Sequence, residues 1–383
     1  MKKICYVVTI PLTIRAFFIP QLKCLVRNGF DVTVICSPDS NLKEELGECI
    51  HFIPVDIPRG ISVGGSLKAV KQLRTVFKNE HFDFIQYSTP NAALYASIAA
   101  KQIGCKVRNY HLMGFRYLGA NGVGRMVLKA IEKITCANST SIECVSKSNM
   151  DFGIREELFP RKKVTVVWNG SSGGVDLERF CFAKRSQWRE EVRKELGYSE
   201  NDFVYGFVGR ITRDKGINEL LEAYFSLNAD AKLLLIGRIE GEQTLNPELF
   251  ERARQDANVT IHKAVPDIER YYAALDVLVL PSYREGFGNV VIEAGAVGTP
   301  AIVSDIPGPI DTIDKGKTAL TVPAKDAKAL ANAMTQMREV DYIGMGENAM
   351  RFARECFDSK VLCEKILERK EYLLCLNESV YGK

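Results

Sequence analysis

The stretch Val277 to Asp305, VLVLPSYREGFGNVVIEAGAVGTPAIVSD, decides the fold of this chain. It opens on the apolar run Val277–Leu280, the length of a buried strand. A loop follows, with glycines at Gly286 and Gly288, then a helical stretch from Val290 to Val297 closed by Gly298-Thr299-Pro300. A second buried strand, Ala301 to Ser304, ends it. The order strand, helix, strand predicts a parallel pair whose loop lies at the carboxyl end of a strand, where open α/β sheets bind ligands. Two acids frame that loop: Glu285 within it and Glu293 eight positions on, in the helix.

The spacing has a physical reason. A helix that starts after Gly288 turns its amide groups and the positive end of its dipole toward the loop, which suits a phosphate. Gly286 and Gly288 let a ligand approach the backbone. Carboxylates on either side can then accept hydrogen bonds from hydroxyls flanking a diphosphate. A nucleotide sugar has that shape.

The segment Glu285-Gly286-Phe287-Gly288-Asn289-Val290-Val291-Ile292-Glu293 resembles the E-x7-E signature of retaining glycosyltransferases of the GT-B fold, family 4. The resemblance implies that Glu285 touches donor-sugar hydroxyls and that Glu293 binds the ribose. Gly209-Arg210-Ile211-Thr212-Arg213-Asp214-Lys215-Gly216 is similar to the family's G-R-x4-K-G, which implies that Arg210 and Lys215 neutralise the donor diphosphate. A forked arginine and a point-charge lysine at a strand end suit a leaving phosphate. The resemblance further implies that the loops carrying Arg238 and Val265 seat the nucleobase, and that Gly209, Gly286, Phe287, Gly288 and Asn289 line the donor site.

Length and composition agree with a soluble two-domain enzyme. The 383 residues exceed one typical core. Charged residues make up 26% and apolar residues 46%, and no apolar run reaches the length of a membrane span. The N-terminal MKKICYVVTI reads as a first buried strand, not a signal peptide. Eleven scattered cysteines without C-x-x-C suggest reduced thiols and a cytoplasmic compartment. Four histidines show no zinc spacing, and no D-x-D occurs, so no metal and no cofactor are expected. Residues 1–180 carry 24 Lys and Arg against 15 Asp and Glu, and the remainder 27 against 32. The basic half suggests an anionic partner, such as a membrane surface or a phosphorylated lipid, or else simple drift between domains. A net charge of +4 is too mild to argue for nucleic acid.

The first half alternates strands (Ile4–Ile10, Val32–Cys36, Phe52–Val55, Phe84–Tyr87, Val107–Tyr110, Ile142–Val145) with helices (Phe18–Asn28, Leu67–Lys78, Ala92–Ile103, Gly124–Ala137). That alternation predicts a doubly wound parallel sheet. A second sheet is expected from Phe203–Val208, Leu233–Ile236, Val259–His262, Val277–Leu280 and Ala301–Ser304. The loop after the first strand, through Thr13 and Arg15 to Phe18, lacks the glycine pair common in the family and resembles a subgroup making bacterial capsules and O-antigens. Thr13, Arg15 and Arg116 are candidate acceptor contacts; Arg15 otherwise reads as a surface charge. The family often places a histidine near the donor sugar, a place that His111 or Met113 could fill; His111 otherwise reads as a hydrogen-bonded structural histidine. The helix Gly124–Ala137 carries Arg125, Lys129 and Lys133 at four-residue spacing, either a membrane-facing stripe or a solvated face.

The resemblance implies an α/β GT-B architecture of two Rossmann-like, doubly wound domains facing across a cleft. The expected bounds are 1–172, with a C-terminal helix of about 358–383 packing back on this acceptor domain, and 173–357 for the donor domain, with a glycine-serine hinge at Val164–Gly174. It implies retaining transfer of a HexNAc or deoxy-HexNAc from a UDP-sugar to a polyprenyl-diphosphate-linked saccharide, in surface polysaccharide synthesis at the inner face of the cytoplasmic membrane. The catalytic set would be Glu285, Lys215, Arg210 and His111. The alternatives are a UDP-sugar 2-epimerase on the same fold, or a non-catalytic nucleotide-sugar-binding subunit.

Overall fold

The computed structural model describes residues 1–58, 60, 63–227 and 230–381. The chain divides into two compact units, Met1–Gly173 with Ser359–Lys383, and Gly174–Asp358.

The first unit holds a seven-stranded sheet. Its strands are β1 (Lys3–Val7), β2 (Asp31–Cys36), β3 (Ile50–Pro54), β4 (Phe84–Tyr87), β5 (Val107–Leu112), β6 (Ser141–Cys144) and β7 (Val164–Thr165). They lie in the order β3-β2-β1-β4-β5-β6-β7. Every pair is parallel, with Ile4 opposite both Val32 and Phe84. The apolar runs of β1, β2, β4 and β5 are buried on both faces, as a sheet covered by crossover helices requires. One face packs on the helices Val63–Glu80 and Pro90–Gln102 through Leu73, Phe77, Ala96 and Ala99. The other packs on Ile19–Arg27 and on the helix Ser359–Tyr381, whose Leu373 and Leu374 share a cluster with Leu22, Leu25 and Val107.

The second unit holds six strands, β8 (Val204–Val208), β9 (Lys232–Ile236), β10 (Val259–His262), β11 (Val277–Leu280), β12 (Ala301–Ser304) and β13 (Ala319–Val322). Their order is β10-β9-β8-β11-β12-β13, again parallel throughout. Helix starts are set by short polar caps. Asn246 accepts from the amides of Glu248 and Leu249, ahead of Pro247 at the first helical position. Asp326 accepts from Ala329 in the same way.

Three expectations change. The stretch from Pro11 to Phe17, read as a loop, is a helix. Pro11 opens it, and Ile14, Phe18 and Leu22, four residues apart, are all buried, so one apolar stripe runs through this helix and the next, Ile19–Arg27. The stretch Tyr110–Arg125, which its glycines and aromatics after a strand mark as a loop by sequence, holds the end of β5, a 3-10 turn at Arg116–Gly119 and the start of the helix Gly122–Asn138. Strand β13 was not expected: its four residues follow a polar turn, with Ala319 and Val322 buried and the two between them half-buried, too short a run to read.

Candidate active site

In the second sheet the strand order reverses between β8 and β11, so the loops that follow these strands diverge and leave a crevice at their carboxyl ends. The two loops are held against each other by backbone contact. Gly216 has φ +74°, and a Cβ there would stand 2.1 Å from the Pro281 carbonyl oxygen, so only glycine fits. The Tyr283 amide donates to the Asp214 carbonyl at 2.9 Å. The Asp214 carboxylate accepts from Arg284 at 2.9 Å and from the Thr212 hydroxyl at 2.6 Å. Burial pushes Asp214 up, but Thr212, Arg284, Arg210 and Lys215 together hold it below the usual carboxylate range. Asp214 is thus a brace between the loops, a role its position ahead of a helix did not signal.

This framing brings Lys215 onto Glu285. The ammonium lies 2.5 Å from the carboxylate Oε1, with the two side chains only 16% and 13% exposed. The Ser282 hydroxyl donates to the same oxygen at 2.9 Å. Glu285 is followed by Gly286, by Phe287, buried edge-on to Phe357 at 5.5 Å, and by Gly288, φ +106°, which caps the helix Asn289–Ala296. The positive end of that helix therefore lies at the Glu285 loop. One turn in, Glu293 accepts from the Tyr272 hydroxyl at 2.9 Å, and burial raises its carboxyl above the usual range.

The neighbouring strand ends border the same crevice. At the end of β9, Gly237 has φ +154°, and a Cβ there would fall 1.8 Å from the Gly209 carbonyl oxygen, so the backbones leaving β8 and β9 run in contact. Arg238 follows, exposed, and its carbonyl accepts from the Ile211 amide at 2.9 Å. Val265, half-buried, sits in the loop after β10. The Arg210 guanidinium pairs with Glu240 at 3.2 Å, both about half exposed. The structure thus unites Lys215 with Glu285, sets Gly209, Arg238 and Val265 along adjacent strand ends, and leaves Arg210 on a surface carboxylate.

In the first sheet the order reverses between β1 and β4. Thr9 and Thr89 meet across that point, hydroxyl to hydroxyl at 2.7 Å. Thr89 has φ +65°, a conformation that costs a β-branched residue about 1–3 kcal/mol and that collects at functional sites. It precedes the helix Pro90–Gln102, and Arg116 donates to Asn91 in that helix's first turn at 2.9 Å. Arg116 is therefore held at the switch point. Arg15 is not: it pairs with Asp39 at 2.7 Å and Glu45 at 2.5 Å, and holds the Asp39 carboxyl down at about 2. Thr13 lies half-buried in the helix Pro11–Phe17.

His111 ends β5. It is buried, its Nε2 lies 3.1 Å from the Ser172 hydroxyl, and its ring meets the edge of Phe18 at 5.5 Å. Burial pushes the imidazole down to about 4, with Glu143 opposing and Lys370 adding to the shift. Ser172 is held in turn, its carbonyl accepting from Gln21 at 2.9 Å. Met113 packs on the neighbouring apolar cluster. Among the described residues no group of three His, Cys, Asp or Glu side chains is placed to hold a metal ion. No helix among them is long and apolar enough to cross a membrane.

Comparison with known proteins agrees with this geometry. Residues 188–353 match the family model for glycosyl transferases group 1, and residues 21–179 that for glycosyltransferase family 4. The capsular polysaccharide biosynthesis glycosyltransferase CapM of Staphylococcus aureus is 32% identical over 370 residues, covering 95% of this chain and 96% of its own length. A UDP-Gal:alpha-D-GlcNAc-diphosphoundecaprenol alpha-1,3-galactosyltransferase of Escherichia coli is 26% identical and covers 88% of each chain. Among solved structures, sucrose-phosphate synthase from Thermosynechococcus elongatus superposes with a TM-score of 0.80 at 19% identity, covering 98% of this chain and 100% of its own. That similarity extends over both parallel sheets and gives the GT-B fold of two Rossmann-like domains. With the paired Lys215 and Glu285 at the switch point and a full-length relative above 30% identity, this chain belongs to glycosyltransferase family 4 and is a glycosyltransferase.

Proposed function

We propose that this enzyme moves a sugar from a UDP-sugar donor to a polyprenyl-diphosphate-linked saccharide, with retention at the anomeric carbon and without a metal ion, in the synthesis of a bacterial surface polysaccharide. The observation that carries the reading is the Lys215–Glu285 pair at the head of a crevice built by glycine contacts. The second unit takes the donor. Its diphosphate meets Lys215 and the positive end of the helix Asn289–Ala296, with Arg210 turning from Glu240 to join them. Glu285 accepts from sugar hydroxyls and Glu293 from the ribose, while the loops of Arg238 and Val265 seat the base.

In the transfer step the acceptor hydroxyl oxygen bonds to the anomeric carbon on the face from which the diphosphate departs. The bond from that carbon to the diphosphate oxygen breaks, and the acceptor proton passes to the departing phosphate oxygen. Lys215 stabilises the charge that develops there. The first unit supplies the acceptor side: His111 as a neutral hydrogen-bonding group, and Arg116 with the first turn of the helix Pro90–Gln102 for the lipid diphosphate.

A lipid-linked acceptor requires the enzyme to work at a bilayer, and the helix Gly122–Asn138 suits that partner. It exposes Val123, Met126, Val127 and Ile134, with Arg125 and Lys133 exposed beside them. Apolar side chains flanked by cations fit an anionic interface. The experiment is a turnover assay with a panel of UDP-sugars and an undecaprenyl-diphosphate-linked saccharide, in the presence and absence of EDTA, with the product's anomeric configuration read by NMR. Transfer with retention, unaffected by EDTA and lost in Lys215→Ala, is expected. Inversion, or turnover that disappears with EDTA, overturns the mechanism.

A further inference from the structure

One face of the first sheet carries a layer of polar side chains beneath the helix Ser359–Tyr381. Successive strands contribute one or two each: Gln86 from β4, Asn109 and His111 from β5, Ser141 and Glu143 from β6. All are buried. Ser141 donates to Asn109 at 2.7 Å, and Asn109 donates to Gln86 at 3.0 Å. Lys370, 1% exposed, reaches into this layer from the helix and donates to Gln86 at 2.6 Å and to Glu143 at 2.7 Å. His111 and Glu143 are direct partners in the β5–β6 register.

The chemistry of this layer is unequal. Glu143 Oε2 is bonded to Lys370, while Glu143 Oε1 is buried with no hydrogen bond. The nearest further cation, Arg369, has its Nε 3.7 Å from that oxygen and itself makes no hydrogen bond there. A carboxylate so placed draws a proton from its surroundings unless a cation answers it. The adjacent group able to carry that proton is His111. The other groups in contact with the imidazole are uncharged: the Ser172 hydroxyl and the Phe18 ring. Burial is the main cause of the neutral imidazole, and the charge on Lys370 offsets the pull of Glu143 on its proton.

We infer that Lys370 is a positioning residue for His111: by holding Glu143 as a carboxylate turned to the terminal helix, it keeps the imidazole neutral, with Nε2 on Ser172, at the end of β5. The inference rests on the reading of His111 as a group that meets substrate. Without the ammonium, the pair retains one proton to higher pH, shared between imidazole and carboxylate. The imidazole is then a charged donor where a neutral one is needed, or the carboxyl turns from Lys370 and displaces it.

The test uses the full-length enzyme with 15N-labelled histidine, the His111 signals among its four histidines being assigned with His111→Asn. Lys370→Gln keeps a hydrogen-bonding side chain toward Gln86 and Glu143 and removes only the charge. It should move the His111 titration upward from about 4, by about one unit or more. The acid limb of the pH–rate profile should move up by the same amount, with turnover at pH 7, where the imidazole stays neutral, changed less. Lys370→Arg, and the doubly neutral Lys370→Gln/Glu143→Gln, should both return the histidine signals to wild type. A purely structural lysine would lower stability in all three variants and leave the His111 titration in place, and that outcome overturns the inference. A shifted titration with an unchanged pH–rate profile would uphold the coupling while removing His111 from catalysis, so the two readings fail separately.

Discussion

The two sheets share one topology at their switch points and spend it differently. In the second unit the polar groups ride on loops, reachable from outside: Lys215 and Glu285 are partly open, and Arg210 and Arg238 more so. Glycines at 209, 216 and 237 bring the loop backbones into contact and leave room for a ligand. In the first unit the polar groups lie under the sheet, shut behind a helix, with His111 and the Thr9–Thr89 pair near strand ends of that same sheet. The contrast teaches that one fold can present charge to a ligand and, elsewhere, use buried charge to set the state of a single residue.

The sharpest way to break this comparison is Lys215→Ala. If the loop lysine serves the departing diphosphate, turnover should drop by roughly two to three orders of magnitude, with folding unchanged by thermal melting. Retained turnover would place the chemistry elsewhere. Next in size is a buried carboxyl in the first unit. Glu132, on the helix Gly122–Asn138, accepts from the Tyr110 hydroxyl at 2.8 Å, and burial raises it to about 7 despite that bond. The unfolded chain ionises this group near the ordinary value, so folding holds a proton between the two. Stability from this site is complete below about pH 4 and is lost as pH rises to about 7, up to roughly 3 kcal/mol. Denaturant titrations from pH 5 to 8 should show the decline, and Glu132→Gln should flatten it; parallel curves would show that burial there does not control the proton.

A smaller effect is expected at Glu293. Glu293→Gln keeps the bond from Tyr272 but removes the stronger acceptor for a ribose, so the donor KM should rise about tenfold, the loss of one charge-assisted hydrogen bond, with kcat changed less. A kcat loss equal to that of Lys215→Ala would move Glu293 into the reacting centre. The smallest belongs to Arg15, whose charge is already met by Asp39 and Glu45. Arg15→Ala should cost under about 1 kcal/mol of stability, as partly exposed ion pairs do, and leave the acceptor KM near wild type. A large rise in KM would restore it to the acceptor site.

The candidate site of the second unit was legible because its residues are local in sequence. Glu285 and Glu293 fall within nine residues, and Arg210 and Lys215 within six, each on a loop bounded by an apolar run. Strand β11 and the helix after it were readable for the same reason. What joins Lys215 to Glu285 was not: the contact spans 70 residues and depends on Gly216 passing under Pro281. The helix Pro11–Phe17 was missed because its apolar stripe continues into the next helix, so neither half shows a full period alone. The polar layer of the first sheet had no clear signature, since Gln86 looks like a single polar interruption in an apolar strand, and Asn109 and Glu143 sit in short strands with other polar residues, Arg108 and Ser141, that do not mark a shared buried layer.

The helix Ser359–Tyr381 also sets a schedule for synthesis. Lys370 leaves the ribosome 227 residues after Glu143, and the whole of the second unit is made in between. Until then the nascent first sheet has one face uncovered, with Leu22, Leu25 and Val107 lacking Leu373 and Leu374, and it carries a carboxylate without its cation. The contiguous second unit can finish folding first. The first unit is sealed only after the second has been made, which guards against a prematurely competent fragment.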